Sequence, residues 1–136
     1  MAQKVIVACG GAVADKTIAI LGLSFKQNTD DMREAPALDI IAALQRAGAR
    51  IRAYDPQAME QARPMLSEVT FCQSAYACAE GASALVIVTE WDAFRALDLE
   101  RIKRALVEPI VVDLRNIYPS AEMRERGFHY SRVGRP

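Results

Sequence analysis

A chain of 136 residues, half hydrophobic and a quarter charged, has the makings of one compact domain that buries roughly two thirds of its unfolded surface. Its 17 Lys+Arg balance 17 Asp+Glu, which excludes a polyelectrolyte tail, a disordered composition and a long-range field for nucleic acid; any anion site must be small. Three cysteines without CxxC spacing fit a reducing compartment, the cytoplasm, better than a disulfide framework.

The opening MAQKVIVACGGAVADK carries an apolar stretch too short to span a bilayer and only a weak likeness to a signal peptide, so it reads as a leader into the first strand. Thr17–Gly22 (TIAILG) is a run of β-branched and aliphatic residues ending in glycine, which suits a strand buried on both faces. Pro36 then opens a helix through ALDIIAALQRAG, with Leu38, Ile41, Ala42 and Leu44 on one face and Gly48 at its end. The connection between them, SFKQNTDDMREA, is long for an α/β unit and is the first place to look for function.

The strand-then-helix unit recurs in ARIRAYDP with QAMEQARPML, VTFCQ with SAYACAEG, and SALVIVTE with WDAFRALDLERIKRAL. PIVVDLRN is a fifth strand, followed by a short helix in AEMRERG and an edge strand in FHYSRVG. This alternation predicts an α/β fold: a three-layer α/β/α Rossmann-like domain with a mainly parallel, doubly wound sheet of five or six strands. No linker, repeat or low-complexity tract divides it. Such a sheet places its ligand crevice at the carboxyl ends of the strands, where the loops after Gly22, Tyr54, Val88 and Asp113 are expected to converge.

In the first of those loops Lys26 and Arg33 flank the acidic pair Asp30 and Asp31 just ahead of a helix N-terminus, a set that can hold phosphate. The alternative is a solvated cluster in which the two aspartates cap turns and pair with the two cations. Arg115 is expected at the same sheet edge, either as a plain surface residue or as a second cation facing an anion, with Asp113 available to relieve its charge instead. Asp55 stands where a dinucleotide fold puts its ribose acid, but the chain after the first strand reads GLSFKQ rather than GxGxxG, which favours a turn or helix cap. Trp91 reads equally as a packed anchor and as a stacking surface.

His129, the sole histidine, has no nucleophile in a recognisable motif beside it, so a hydrolytic triad is unsupported. The cysteines and histidine lack the spacing of zinc ligands, and no other metal site is read here. Cys9, in its glycine-rich setting, has no convincing base nearby and reads as structural. No catalytic residue is assigned.

The stretch KTIAILGLSFKQNTDDMREAPALDIIAALQRAGARIRAYDP is similar to the opening of the C-terminal domain in the UDP-glucose/GDP-mannose dehydrogenase family. The likeness continues through ALVIVTEWDAF and VVDLRNIY to the terminal GR, which covers the chain from Lys16 onward. It implies a domain over residues 16–136 that binds the nucleotide part of UDP-glucose or a related nucleotide sugar, with residues 1–15 leading in from a central helix. The full enzymes of that family oxidise the C6 hydroxyl to a carboxylate in two NAD-dependent steps through a cysteine thioester. Their NAD is held mainly by an N-terminal Rossmann dehydrogenase domain, and they assemble as homodimers or larger.

By this resemblance Phe25 and Lys26 match substrate-contacting positions, and Arg33 matches a position that reaches NAD phosphate across the domain cleft. Arg115 matches an arginine that contacts substrate, often in the neighbouring subunit's site. Glu90 and Trp91 match a family loop to which no contact is assigned. The segment NTDDMREAP resembles the UDP-glucose branch more than the GDP-mannose one. The catalytic cysteine segment and the glycine fingerprint are not found in this chain, so the chain alone is expected to lack turnover. Nucleic acid and membrane are not expected partners. Two other readings stay open, a freestanding α/β nucleotide-sensing or protein-interaction module and a GDP-mannose dehydrogenase domain; the missing glycine fingerprint argues against a complete small dehydrogenase.

Overall fold

The structure, a computed structural model, describes residues 1–26, 28–33 and 35–133. The terminal Gly134 and Arg135 of the family likeness, and Gln27 and Glu34 of the long loop, lie outside the described residues. Six strands, β1 (Thr17–Leu21), β2 (Arg50–Tyr54), β3 (Val69–Phe71), β4 (Ala84–Ile87), β5 (Ile110–Asp113) and β6 (His129–Arg132), form one sheet in the order β3-β2-β1-β4-β5-β6. Every pair is parallel. This is the expected doubly wound α/β sheet at the upper count of six, and the run FHYSRVG does supply an edge strand, β6 beside β5.

The period of two along each strand sorts the side chains into two cores. Ile18 and Ile20 of β1, Val86 of β4 and Val112 of β5 pack on one face with Ile40, Ile41 and Leu44 of α2 (Pro36–Arg46) and Val5 of α1 (Ala2–Ala8). Ala19, Leu21, Leu85, Ile87 and Val111 pack on the other with Cys78 of α4 (Ala75–Ala79), Phe94 of α5 (Asp92–Arg95), Ile102 of α6 (Leu99–Ala105) and Met123 of α7 (Ser120–Glu125). Each fully buried Ile, Leu or Phe contributes about 1.5–3 kcal/mol over exposure. The remaining helix, α3 (Met59–Ala62), is a single turn continued by a 3-10 turn over Arg63–Met65.

Three local readings shift. The buried face of α2 is Ala37, Ile40, Ile41 and Leu44, an i, i+3, i+4, i+7 stripe, so Leu38 and Ala42 sit at its margin and are only partly buried. The helix starts on Pro36 and ends where the N–H groups of Gly48 and Ala49 donate to the carbonyls of Gln45 and Leu44, at 2.9 and 3.0 Å. The stretch WDAFRALDLERIKRAL is two helices, because the Asp98 carboxylate accepts from the N–H groups of Glu100 and Arg101 and starts α6 afresh. Finally, the opening residues form α1, whose Val5 is fully buried against the sheet.

Candidate functional site

In the order β3-β2-β1-β4-β5-β6 the chain leaves β1 towards one side and β4 towards the other, so their carboxyl ends open a crevice between them. Gly22 closes β1 there. At φ +97° it lies so near β4's exit that an added Cβ would stand 2.5 Å from the Thr89 backbone nitrogen. Its N–H donates to the Tyr54 carbonyl at 2.8 Å. Only glycine permits this approach.

The next residues are organised by Asp55, which is fully buried at the end of β2. Its Oδ2 accepts from the N–H groups of Leu23 at 2.8 Å and Ser24 at 3.1 Å, from Ser24 Oγ at 3.2 Å and from the Trp91 indole at 3.2 Å. Its Oδ1 accepts from the N–H groups of Gln57 and Ala58, both at 2.8 Å. The turn-and-cap reading of Asp55 therefore holds, extended to the exits of β1 and β4. With six donors on one carboxylate, no acceptor site is left for a ribose hydroxyl. Trp91 is the packed anchor, 5 % exposed, rather than an open stacking surface.

Thr89 Oγ1 donates to the Ser24 carbonyl at 2.8 Å, and Phe25 N–H donates to the Asp31 carbonyl at 2.8 Å. The loop is thus pinned at Ser24 while Phe25, 45 % exposed, and Lys26 stand in solvent.

Arg33 grips Asp31 with both prongs, Nε to Oδ1 at 3.1 Å and Nη2 to Oδ2 at 3.0 Å. Those bonds hold the Asp31 carboxyl below the usual carboxylate range and push the Arg33 guanidinium up. The solvated-cluster alternative holds for this pair. The other two members are exposed and make no ion pair among the described residues: Asp30 accepts from Gln61 Nε2 of α3 at 3.2 Å, and the Lys26 charge only adds to the lowering of Asp31.

On the far side of β4, Asp113 is the second buried organiser. Its carboxylate accepts from the N–H groups of Arg115, Ile117 and Tyr118 and from the Tyr130 hydroxyl at 2.6 Å. It shapes the turn under Arg115 but does not relieve the guanidinium. That role belongs to Glu90, whose Oε1 meets Arg115 Nη2 at 2.6 Å with both side chains about a third exposed. The sequence reading missed this partner, because it sits on a different crossover; the only signal was an acid in the loop after β4, opposite an arginine in the loop after β5.

All four loops expected to converge are therefore joined by named bonds: β1 to β2 and β4 through Asp55, β1 to β4 through Thr89, and β4 to β5 through Glu90. Phe25, Lys26, Arg33 and Arg115 all belong to this end of the sheet. The site does not fit a dinucleotide pyrophosphate: Thr89 fills the space beside Gly22, and α2 starts only at Pro36 rather than at the end of β1.

The remaining reactive groups lie elsewhere. Cys9 is 5 % exposed, and burial pushes its thiol up. The Cys72 and Cys78 thiols donate to the carbonyls of Thr70 and Ile20, at 3.9 and 3.8 Å; the neighbouring Cys78 thiol draws the half-buried Cys72 down to about 7, and buried Cys78 is pushed up. His129 is exposed on edge strand β6. Among the described residues no group of three or more His, Cys, Asp or Glu is placed to hold a metal ion, and no helix is long and apolar enough to cross a membrane.

Comparison with known proteins gives a consistent result. The profile of the UDP-glucose/GDP-mannose dehydrogenase family, UDP binding domain, matches residues 19–120. The chain is 50 % identical over 136 residues to a UDP-glucose 6-dehydrogenase of Rhizobium meliloti (strain 1021), covering 100 % of this chain and 31 % of that protein. It is 46 % identical over 127 residues to one of Pseudomonas aeruginosa, covering 89 % of this chain and 28 % of that one. Among solved structures it superposes on a UDP-glucose dehydrogenase from the archaeon Pyrobaculum islandicum with a TM-score of 0.76 at 29 % identity, over 96 % of this chain and 28 % of that chain. The chain thus spans less than a third of the length of these relatives.

Proposed function

Since the chain belongs to the UDP-glucose/GDP-mannose dehydrogenase family, in which its matched segment is the UDP-binding domain, we propose that it holds the uridine diphosphate of UDP-glucose at the carboxyl end of its sheet. The whole protein is then an NAD-dependent UDP-glucose 6-dehydrogenase that converts UDP-glucose to UDP-glucuronate. The observation that carries the reading is the rim itself: Lys26 after β1 and Arg115 after β5 are cations on loops locked together through Ser24, Thr89 and Glu90. A diphosphate set between them replaces water around two positive charges, the exposed Lys26 ammonium and the Arg115 guanidinium, which keeps N–H donors beyond the one on Glu90. Phe25 offers an apolar surface to the ligand beside Lys26.

Arg33 serves the cofactor in this reading. It is a cleft-wall arginine meeting an NAD phosphate, while the rest of NAD is held by a partner N-terminal dehydrogenase domain like that of the family's full-length enzymes. Its pair with Asp31 is exposed to solvent and therefore weak, so exchange for a phosphate is easy. Turnover is not expected of the chain alone, since among the described residues Cys9 and Cys78 are buried and the half-buried Cys72 thiol is bonded to the Thr70 carbonyl rather than to a base. Three unpaired cysteines fit a cytoplasmic protein, and the whole enzyme is expected to be a homodimer or larger.

Calorimetric titration of the chain with UDP, UDP-glucose, GDP-mannose and NAD tests the reading. UDP and UDP-glucose are expected to bind and GDP-mannose to bind less well. Lys26→Ala and Arg115→Ala should each weaken UDP roughly tenfold, the equivalent of about 1.4 kcal/mol for one charged contact. No heat from either uridine ligand would end the proposal.

A further inference from the structure

We infer that Glu90 is a positioning residue: it holds the Arg115 guanidinium in the orientation in which that cation meets an anion at the rim. The inference rests on the UDP reading above and adds to it a residue for which the family likeness supplies no contact.

Both ends of the Glu90–Arg115 pair grow from fixed backbone. Glu90 lies between Thr89, fully buried and bonded to the Ser24 carbonyl, and Trp91, bonded to Asp55. Arg115 rises from the turn whose N–H groups converge on Asp113. What the backbone leaves free is the arginine side chain, with its several rotatable bonds and a large rotamer entropy to lose on binding. The contact with Glu90 removes much of that freedom beforehand, which is how pre-organisation raises affinity without adding a ligand contact.

The contact is also made by one prong only. Nη2 meets Oε1 at 2.6 Å, while Nε and Nη1 make no hydrogen bond among the described residues. The guanidinium is therefore steered and still keeps donors for a ligand, and a third of the side chain is open to solvent. A bidentate clamp, such as Arg33 makes on Asp31, would have used up the fork.

The test is a double-mutant cycle on the 136-residue chain, with UDP as the calorimetric probe. Glu90→Ala is expected to weaken UDP about fivefold. Glu90→Gln, which keeps an acceptor oxygen, should stay within about twofold of wild type. In the Arg115→Ala background, Glu90→Ala should cost nothing further, because its effect passes through Arg115. Unchanged or tighter binding by Glu90→Ala overturns the inference, as does an equal loss in both backgrounds, which would mark a merely structural role. In either case the UDP reading stands. If wild type itself does not bind UDP, that reading fails and takes the inference with it.

Discussion

The indole N–H of Trp91 donates to Oδ2 of Asp55 across 3.2 Å, and the bond passes over the exit of β1. Asp55 follows β2 and Trp91 follows β4, the two strands that flank β1, so one carboxylate ties three loops into a single rim. Leu23 and Ser24 donate to the same oxygen from beneath.

Asp55→Asn should destabilise the chain by about 3 kcal/mol, since an amide turns one acceptor edge into a donor that faces other donors in a buried site. Urea unfolding followed by circular dichroism measures the loss. Fluorescence of Trp91, the only tryptophan, should shift to the red as the indole loosens. A midpoint equal to wild type would mean that the six hydrogen bonds are not held in solution.

Gly22→Ala and Gly81→Ala separate two costs. Both glycines have positive φ, but an added Cβ meets Thr89 at 2.5 Å in the first and nothing within 4 Å in the second. The second change should cost about 1–2 kcal/mol for the left-handed backbone alone. The first should cost more than twice that, because the exits of β1 and β4 must part. UDP binding should then fall only in Gly22→Ala, under conditions where both chains stay folded.

How much of this was legible beforehand follows from the range of the forces involved. Strand-and-helix alternation is local, so TIAIL, ALVI and IVVD announced themselves as strands, the first as a buried one, and topology rules then put Lys26 and Arg115 at one end of the sheet. The break before α6 was local too. Asp98, in the pattern DLER, is a cap signal overlooked because an apolar periodicity runs through it. Glu90 with Arg115 and Asp55 with Trp91 were not legible, because each joins residues from different crossovers and depends on how far each loop reaches after its strand. The opening residues misled for a third reason: seven residues of α1 are too few to show a helical period, and their helix is held by burying Val5 in the sheet's core.

Cys72 should be the thiol that reacts first. The neighbouring Cys78 thiol and the charge of Arg52 bring its pKa to about 7, whereas burial raises Cys9. Alkylation by iodoacetamide, followed by mass spectrometry, should modify Cys72 with a rate that climbs through about pH 7. In Cys78→Ala the climb should move to higher pH. Equal labelling of Cys9 and Cys72 at neutral pH would contradict the thiol pairing.

Alkaline pH should unfold the protein through two tyrosines. Burial raises the Tyr118 phenol, with the Asp113 carboxylate adding to the effect, and burial together with the hydrogen bond to Asp113 raises Tyr130. In the unfolded chain both phenols ionise near pH 10, so the stability they confer is complete below about pH 10 and is lost as pH rises towards their native values. Urea midpoints should therefore fall as pH rises from about 10 to about 12, and fall less steeply in Tyr118→Phe. Parallel curves for the two proteins would remove Tyr118 from the account.

The pairing of β1 with β4 sets Ile18 beside Ala84, which unites the two halves of the chain along one seam. Each half can collapse on neighbouring segments, but this junction closes only when distant stretches dock, a slow step in parallel architectures. The crevice lies over that seam. A molecule able to capture nucleotide is therefore one whose assembly has finished, and nucleotide present during biosynthesis would favour the completed product over half-docked intermediates by mass action.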